Sequence, residues 1–364
     1  MTQDSCTLDE LRGKIDEIDN QLLSLINERV RLASEIGIHK NKQGDAPYYV
    51  PSREAKIIRR LLARNEGAIS DASIHGIFRE IIGACLAREH AFSVAYLGPE
   101  GTFTYAAARR QFGSSAFLQA CKSFEEVFDE VEAGRTSYGV VPVENAFEGA
   151  VTHTLDLFMD CNVSICAEIL LGIEHHLLTH AKRLEDITVV YSRPEILAQC
   201  RLWLQRYLPG VRLREAESSA AGAEQVAELG GNTAAIASRE MAARLGMNIL
   251  KENIEDYHGN TTRFLVIGQH DSSPSDEDKT AVLMSSPNRP GALHGLLEPF
   301  SRRGIGLSRI ESRPSKKKLW EYVFFVDLIG HREEASVSEA LDEIRGLPGA
   351  WLKVLGSYPV SKQL

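Results

Sequence analysis

The segment Asn260-Thr261-Thr262-Arg263-Phe264-Leu265-Val266-Ile267-Gly268 sets a polar trio and one arginine before an apolar, strand-forming run. A strand built this way holds the Thr262 hydroxyl and the Arg263 guanidinium at its mouth, where open α/β sheets bind ligands. Taken alone, the segment also reads as an edge strand with a polar lead-in. A second reactive group lies near the N-terminus. Apolar residues at 8, 11, 15, 18, 22, 25, 32 and 36 recur in steps that fit a long helix with a heptad-like seam. Where the seam should continue stands Arg29, and a guanidinium on a packing seam is costly unless an anion meets it. Lys40 lies about 20° round the helix from Arg29, so both cations look into the same space. Arg12 is about 25 Å along the axis from Arg29, too far to share a small ligand within one chain. An antiparallel partner helix brings a second Arg12 into range, which predicts a homodimer with shared sites.

These side chains need elements to hold them. A loop with Pro47 and Pro51 ends the first helix, and Ser52 is expected to cap a second that carries Arg53 and Glu54. Asn65-Glu66-Gly67 closes it. A third helix opens at Asp71 or Ser73, with Ile74, Ile77, Phe78, Ile81, Ile82 and Cys85 on one face and Glu89 one turn beyond. Burial raises the pKa of a carboxyl on an apolar face, while nearby cations lower it. Each charge taken singly also reads as a snorkelling or salt-bridged residue.

From 93 to 270, strands and helices alternate, which predicts mostly parallel sheets in two lobes with a cleft between them. The expected strands are 93–97, 138–143, 163–170, 173–179, 187–191 and 233–237, and the expected helices include 123–133, 194–207 and 220–229. Gly98-Pro99-Glu100-Gly101-Thr102 joins a strand to a helix, a geometry suited to an anion at a helix N-terminus. It is neither GxGxxG nor a Walker loop, so no nucleotide is indicated. His175, His176 and His180 lack an acid or cysteine at ligand spacing, so no metal is expected; His175 is a candidate to face the cleft. Residues 271–278 form a polar linker. Beyond it the order βαββαβ over 279–359 predicts a ferredoxin-like α+β sandwich.

The totals are those of a soluble, cytoplasmic protein. At 364 residues the chain suits two or three domains, and 43% hydrophobic with 25% charged residues is ordinary. A net charge of −9 argues against nucleic-acid binding. Lys316-Lys317-Lys318 reads as a solvated turn, and six scattered cysteines without a CxxC fit a reducing compartment. The start, Met1-Thr2-Gln3-Asp4, is not a signal peptide, and no window is apolar enough for a membrane helix.

Three resemblances follow from these motifs. Leu11-Arg12-Gly13-Lys14-Ile15-Asp16-Glu17-Ile18-Asp19, Glu28-Arg29, Lys40, Arg53-Glu54 and the Glu89 helix resemble the all-helical chorismate mutases. The resemblance implies a swapped dimer of three helices per chain, over 1–92, that converts chorismate to prephenate without a cofactor. It assigns Lys40 and Glu89 as donors to the ether oxygen, Arg29 and a partner's Arg12 as carboxylate grips, and Arg53 and Glu54 as completing the pocket. An ionised Glu89 would repel that oxygen, so an acidic optimum is expected.

Gly98-Pro99-Glu100-Gly101-Thr102-Phe103, Val141-Pro142-Val143-Glu144-Asn145, Glu217-Ser218-Ser219-Ala220 and Thr262-Arg263-Phe264 resemble prephenate dehydratase. That family has a fold similar to periplasmic binding proteins. The resemblance implies that Thr262 donates toward the departing hydroxyl and Arg263 positions a carboxylate. Phe264, Thr102, Glu144, Asn145, Ser218, Ser219 and Glu240 then line the cleft. Asn288-Arg289-Pro290-Gly291-Ala292-Leu293 and Glu311-Ser312-Arg313-Pro314 resemble the phenylalanine-binding motifs of ACT regulatory domains. The ligand is thereby expected at Asn288, Gly291, Ala292, Leu293, Glu311, Ser312 and Arg313, with feedback on the dehydratase. Two other readings stay open: an amino-acid sensor without catalysis, and a dehydratase whose helices only dimerise.

Overall fold

The computed structural model describes residues 7–43, 49–89, 92–315 and 321–361. The acidic start, Cys6, Pro47 and the three lysines at 316–318 lie outside them. Three helices come first: α1 (Leu8–Gln43), α2 (Pro51–Leu62) and α3 (Asp71–Glu89). Only the second half of α1 packs on α3, where Gly37 lies so close to the Glu89 backbone that a Cβ would meet its carbonyl oxygen at 2.8 Å. In the first half the seam residues Leu8, Leu11, Ile15, Ile18, Leu22 and Leu25 are 47–63% exposed. Helix α2 starts at Pro51 rather than at a Ser52 cap, because a proline in the first turn has the right φ and no N–H to satisfy. Ser52 is buried instead, its N–H donating to Ser272 Oγ at 3.1 Å. On α3, Ile77 is half-exposed and so leaves the expected apolar face.

The first lobe is built from β1 (Ser93–Leu97), α4 (Phe103–Phe112), β2 (Phe117–Cys121), α5 (Phe124–Glu132), β3 (Tyr138–Asn145), β4 (Gly149–Ala150), α6 (Thr152–Asp160) and β5 (Ser164–Gly172). The second lobe holds β6 (His176–Thr179), β7 (Val189–Ser192), α7 (Pro194–Gln199), α8 (Arg201–Tyr207), β8 (Arg212–Glu215), α9 (Ser219–Leu229), β9 (Thr233–Ala237), α10 (Arg239–Leu245) and β10 (Asn248–Lys251). β11 (Thr261–Gly268) then returns to the first. The strand orders are β2-β1-β3-β11-β5, with β4 on β3, and β10-β6-β9-β7-β8. Both sheets are mixed rather than mostly parallel. Returning from the other lobe, β11 runs antiparallel to both β3 and β5. The helix expected over 194–207 is two helices, because the Asp256 carboxylate accepts from the N–H groups of Leu202 and Trp203, each at 2.9 Å, and starts α8 afresh.

The C-terminal unit comprises β12 (Asp278–Ser285), α11 (Ala292–Arg302), β13 (Leu307–Pro314), β14 (Tyr322–Ile329), α12 (Ala335–Gly346) and β15 (Trp351–Pro359), with strand order β13-β14-β12-β15. Its helices cover one face. The other face packs on the first-lobe sheet, where Leu283, Phe325 and Leu355 share a core with Val141, Leu265 and Ile267. The backbones approach closely at Gly356, whose φ is +150° and where a Cβ would lie 2.2 Å from the Ile165 carbonyl oxygen.

Where α3 meets α4, His75 is half-buried beside Arg79 and Arg110. Burial first, then those two guanidinium charges, lower its pKa from 6.5 to about 4. The neutral ring's contribution to stability is therefore complete above the unfolded value and is lost as the pH falls toward the folded one. Replacing His75 with Gln should flatten the fall in melting temperature between pH 7 and pH 4.5; an unchanged slope in thermal melts would exclude this contribution.

Candidate active sites

Helices α1, α2 and α3 enclose a cavity of about 530 Å³ lined by Arg29, Lys40, Arg53, Glu54 and Glu89. Lys40 Nζ donates to Glu89 Oε2 at 3.3 Å, with the two side chains 22% and 14% exposed. Arg29 Nη1 donates to the Cys85 sulfur. Glu54 turns toward Arg79 in a buried ion pair. Burial raises the Glu54 pKa, against the pull of Arg79 and Arg29. No motif marked Arg79; a buried carboxylate in need of a cation is the signal that could have found it. Arg12 is the one expected member not brought here, being exposed near the start of α1 and paired with Asp9 at 3.5 Å.

In the two-lobed region, Thr262 of β11 pairs with Asn145 of β3, and Arg263 pairs with Glu144. Asn145 Oδ1 accepts from the N–H groups of Phe147 and Glu148 at 2.9 and 3.1 Å, so its Nδ2 is the donor to Thr262 Oγ1 at 2.9 Å. A hydroxyl that accepts this bond keeps its own hydrogen for another partner.

Arg263 does not share that space. Side chains alternate across a strand, so the residue after Thr262 must face the other way. Its guanidinium is buried beneath the C-terminal sheet, where Nε donates to Glu168 at 2.9 Å, Nη2 to the Tyr358 hydroxyl at 2.9 Å, and Nη1 to Asp327. Lys279 Nζ also reaches Glu168 at 2.9 Å. Burial works to lower the Arg263 pKa, but Tyr358, Asp327 and Glu168 raise it well above the ordinary arginine value. This corrects the expectation that Arg263 positions a carboxylate in the cleft. Phe264 is likewise a core residue, packed with Tyr96, Ala167 and Val266.

Other expected lining residues serve local structure. Thr102 Oγ1 caps α4 by accepting from Tyr105 N–H at 3.3 Å, and Ser218 caps α9 by accepting from Ala221 N–H at 2.9 Å. Ser219 is buried in the first turn of α9. Glu240 lines a hollow of about 530 Å³ with Gly101, Tyr105, Arg109 and Arg244, whose walls do not include Thr262.

Three residues outside the motifs join the lobes. Gln199 Nε2 donates to Glu148 Oε1 at 2.7 Å, and its Oε1 lies 2.8 Å from His175 Nε2, which therefore carries the ring proton. His175 Nδ1 is buried without a hydrogen-bond partner, and burial lowers the pKa of the ring. His176 Nδ1 accepts from Asn253 N–H at 3.2 Å. Gln199 bears no charge and sits in no recognisable spacing, so the sequence offered no handle on it.

In the C-terminal unit, Asn288, Gly291 and Leu293 are exposed around the start of α11, where Gly291 has a φ of +80°. Glu311, Ser312 and Arg313 lie on the edge strand β13. Arg313 is engaged with the first lobe, its Nε and Nη2 each 3.1 Å from the Asp156 carboxylate.

Known proteins share this layout. A chorismate mutase type II family model matches residues 11–90, a prephenate dehydratase model 94–272 and an ACT domain model 280–346. The bifunctional chorismate mutase/prephenate dehydratase of Aquifex aeolicus is 47% identical over 97% of this chain and 98% of its own. That of Pseudomonas aeruginosa is 45% identical over 98% of each. A crystal structure of prephenate dehydratase in complex with L-Phe, from Arthrobacter aurescens, is 35% identical, with a TM-score of 0.67 over 74% of this chain and 90% of that one. The helical pocket, the paired lobes and the C-terminal sheet thus fall in the order of their counterparts, and the chain belongs to the bifunctional chorismate mutase/prephenate dehydratase family, with an ACT domain at its C-terminal end.

Proposed function

We propose that residues 1–92 rearrange chorismate to prephenate, that residues 93–270 convert prephenate to phenylpyruvate, and that residues 279–359 sense L-phenylalanine, in a cytosolic homodimer without a cofactor. The observation that carries this reading is the convergence of Arg29, Lys40, Arg53 and Glu89 on one cavity. Chorismate is a dianion, and fixed cations hold its carboxylates while they favour the folded conformer that reacts. Negative charge builds on the ether oxygen in the transition state, so donors aimed there stabilise it more than the ground state. Lys40 and Glu89 are those donors, and Arg12 of a second copy closes the site. The bare apolar seam of α1 supports the dimer, because a large exposed stripe on a helix calls for a partner.

In the dehydratase, carbon dioxide and the ring hydroxyl leave as the ring becomes aromatic. Thr262 serves the departing hydroxyl, because Asn145 occupies its acceptor side and leaves its O–H to donate. The N–H groups opened by the Thr102 and Ser218 caps suit the substrate carboxylates. Gly291 and the β13 edge suit an effector held between two ACT domains.

A coupled assay from chorismate to phenylpyruvate tests the whole. Thr262→Val should abolish phenylpyruvate but not prephenate formation, and saturating L-phenylalanine should lower phenylpyruvate output of the unaltered enzyme. Phenylpyruvate from Thr262→Val, or indifference to phenylalanine, would refute the respective assignment. Glu89 donates only when protonated, so mutase turnover should rise toward acidic pH and Glu89→Gln should flatten the profile; parallel profiles count against the role. Leu22→Glu, a charge placed on the seam, should yield monomers in sedimentation and cost most of the mutase rate, and a fully active monomer would overturn the shared site.

A further inference from the structure

The Thr262–Asn145 pair sits beside an irregularity in its ladder. One step beyond Arg263↔Glu144 the β11–β3 register shifts, with Phe264 opposite Pro142, so Val143 is an extra residue and the ladder is interrupted. Beyond the bulge β3 and β11 stay joined by the Ala146 N–H to the Thr261 carbonyl at 2.9 Å, while β4 and β5 pair with their outer sides, so the bulge sets the angle at which Asn145 meets Thr262. Against it lies a matching pair in the ACT sheet, where Arg309 of β13 and Asp327 of β14 are cross-strand neighbours. The two pairs meet with opposite signs. Arg263 reaches Asp327, and Arg309 Nε lies 3.2 Å from Glu144 Oε2. Four charges thus form a square across the interface, one residue along each strand from Thr262 and from Asn145.

The two sides of the square differ. Each nitrogen of Arg263 donates a hydrogen bond, to Glu168, Asp327 and Tyr358. Arg309 is close to Glu144 as an ion pair, but its buried Nε and Nη2 have no hydrogen-bond partner. Arg309 also stands two residues from Glu311 on the same strand.

We propose that Arg309 and Asp327 of the ACT domain are positioning residues of the dehydratase: acting through Glu144 and Arg263, they hold the strand step that keeps Asn145 on Thr262. The inference rests on Thr262 and Asn145 serving dehydration. The ACT sheet is then half of the support of the site, and any ligand that shifts β13 acts first on the weaker Arg309–Glu144 side.

The full-length enzyme tests this with Arg309→Gln, Asp327→Asn and the conservative Arg309→Lys. Sub-ångström misplacement of a donor is costly, so the first two should lower dehydratase kcat about tenfold or more with little change in KM. Arg309→Lys should restore most of the loss. Mutase turnover, measured on the same samples, should stay unchanged and reports folding independently. Adding Arg309→Gln to Glu144→Gln should cost nothing further, because the arginine acts through the carboxylate. Arg309→Gln with dehydratase kcat within about twofold of the unaltered enzyme, or with its loss confined to KM, would overturn the proposal. If Asp327→Asn fails to fold, Arg309→Gln decides alone, since it removes no buried partner of Arg263. Absence of phenylpyruvate from the unaltered enzyme would instead sink the dehydratase reading itself.

Discussion

A strand sends successive side chains to opposite faces, and in β11 that rule separates Thr262 from Arg263. Thr262 joins Asn145 on one face, while Arg263, the next residue, is drawn under the ACT sheet. Neither can change sides without a register slip that would also turn Phe264 and Leu265 out of their cores.

The division is held in place by buried charge. Arg263 and Lys279 meet Glu168 and Asp327, two cations against two anions, with Tyr358 and the Ser361 N–H supplying further hydrogen bonds. Buried ion pairs add little net stability over an apolar contact, but breaking one by removing a single partner costs about 3–5 kcal/mol. Such a cluster favours one docking geometry over others. The ACT sheet is thereby fixed in orientation as well as in contact, and the apolar core it shares with Val141, Leu265 and Ile267 supplies the adhesion. The helical domain is tied to the same region. Ser52 meets Ser272, and Lys56 Nζ donates to the Pro274 carbonyl at 3.3 Å, so α2 rests on the linker that leads into the ACT sheet.

The sequence made some of this legible and hid the rest for physical reasons. Periodicity found α1 and α3, because a seam of apolar residues is a local property, and the misplaced Arg29 pointed toward the space that the helical cavity occupies. Motifs located the Thr262–Asn145 step. They did not reveal where Arg263 goes, since its partners Glu168, Asp327 and Tyr358 are far away in the chain and only the fold brings them close. Strand direction was misjudged because an alternating pattern carries no record of a strand returning from another lobe. The short elements β2, β8, β10 and α10 went unseen. β8 spans four residues and α10 seven, both too few to show a period. Thr102 and Ser218 are instructive in a different way. The motifs marked them for ligand contact, and the structure shows them as helix caps, a role in which the same hydroxyl orients the backbone N–H groups around it.

The position of β11 in its sheet also bears on biosynthesis. It lies between β3 and β5, yet it is made only after the entire second lobe has been translated. Until residue 268 leaves the ribosome, the first sheet has an open slot flanked by two unpaired strand edges, of the kind that invites pairing with other chains. A nascent chain is therefore most exposed to misassembly in the interval between its fifth and eleventh strands, and closure of that slot brings Thr262 to Asn145 in the same event.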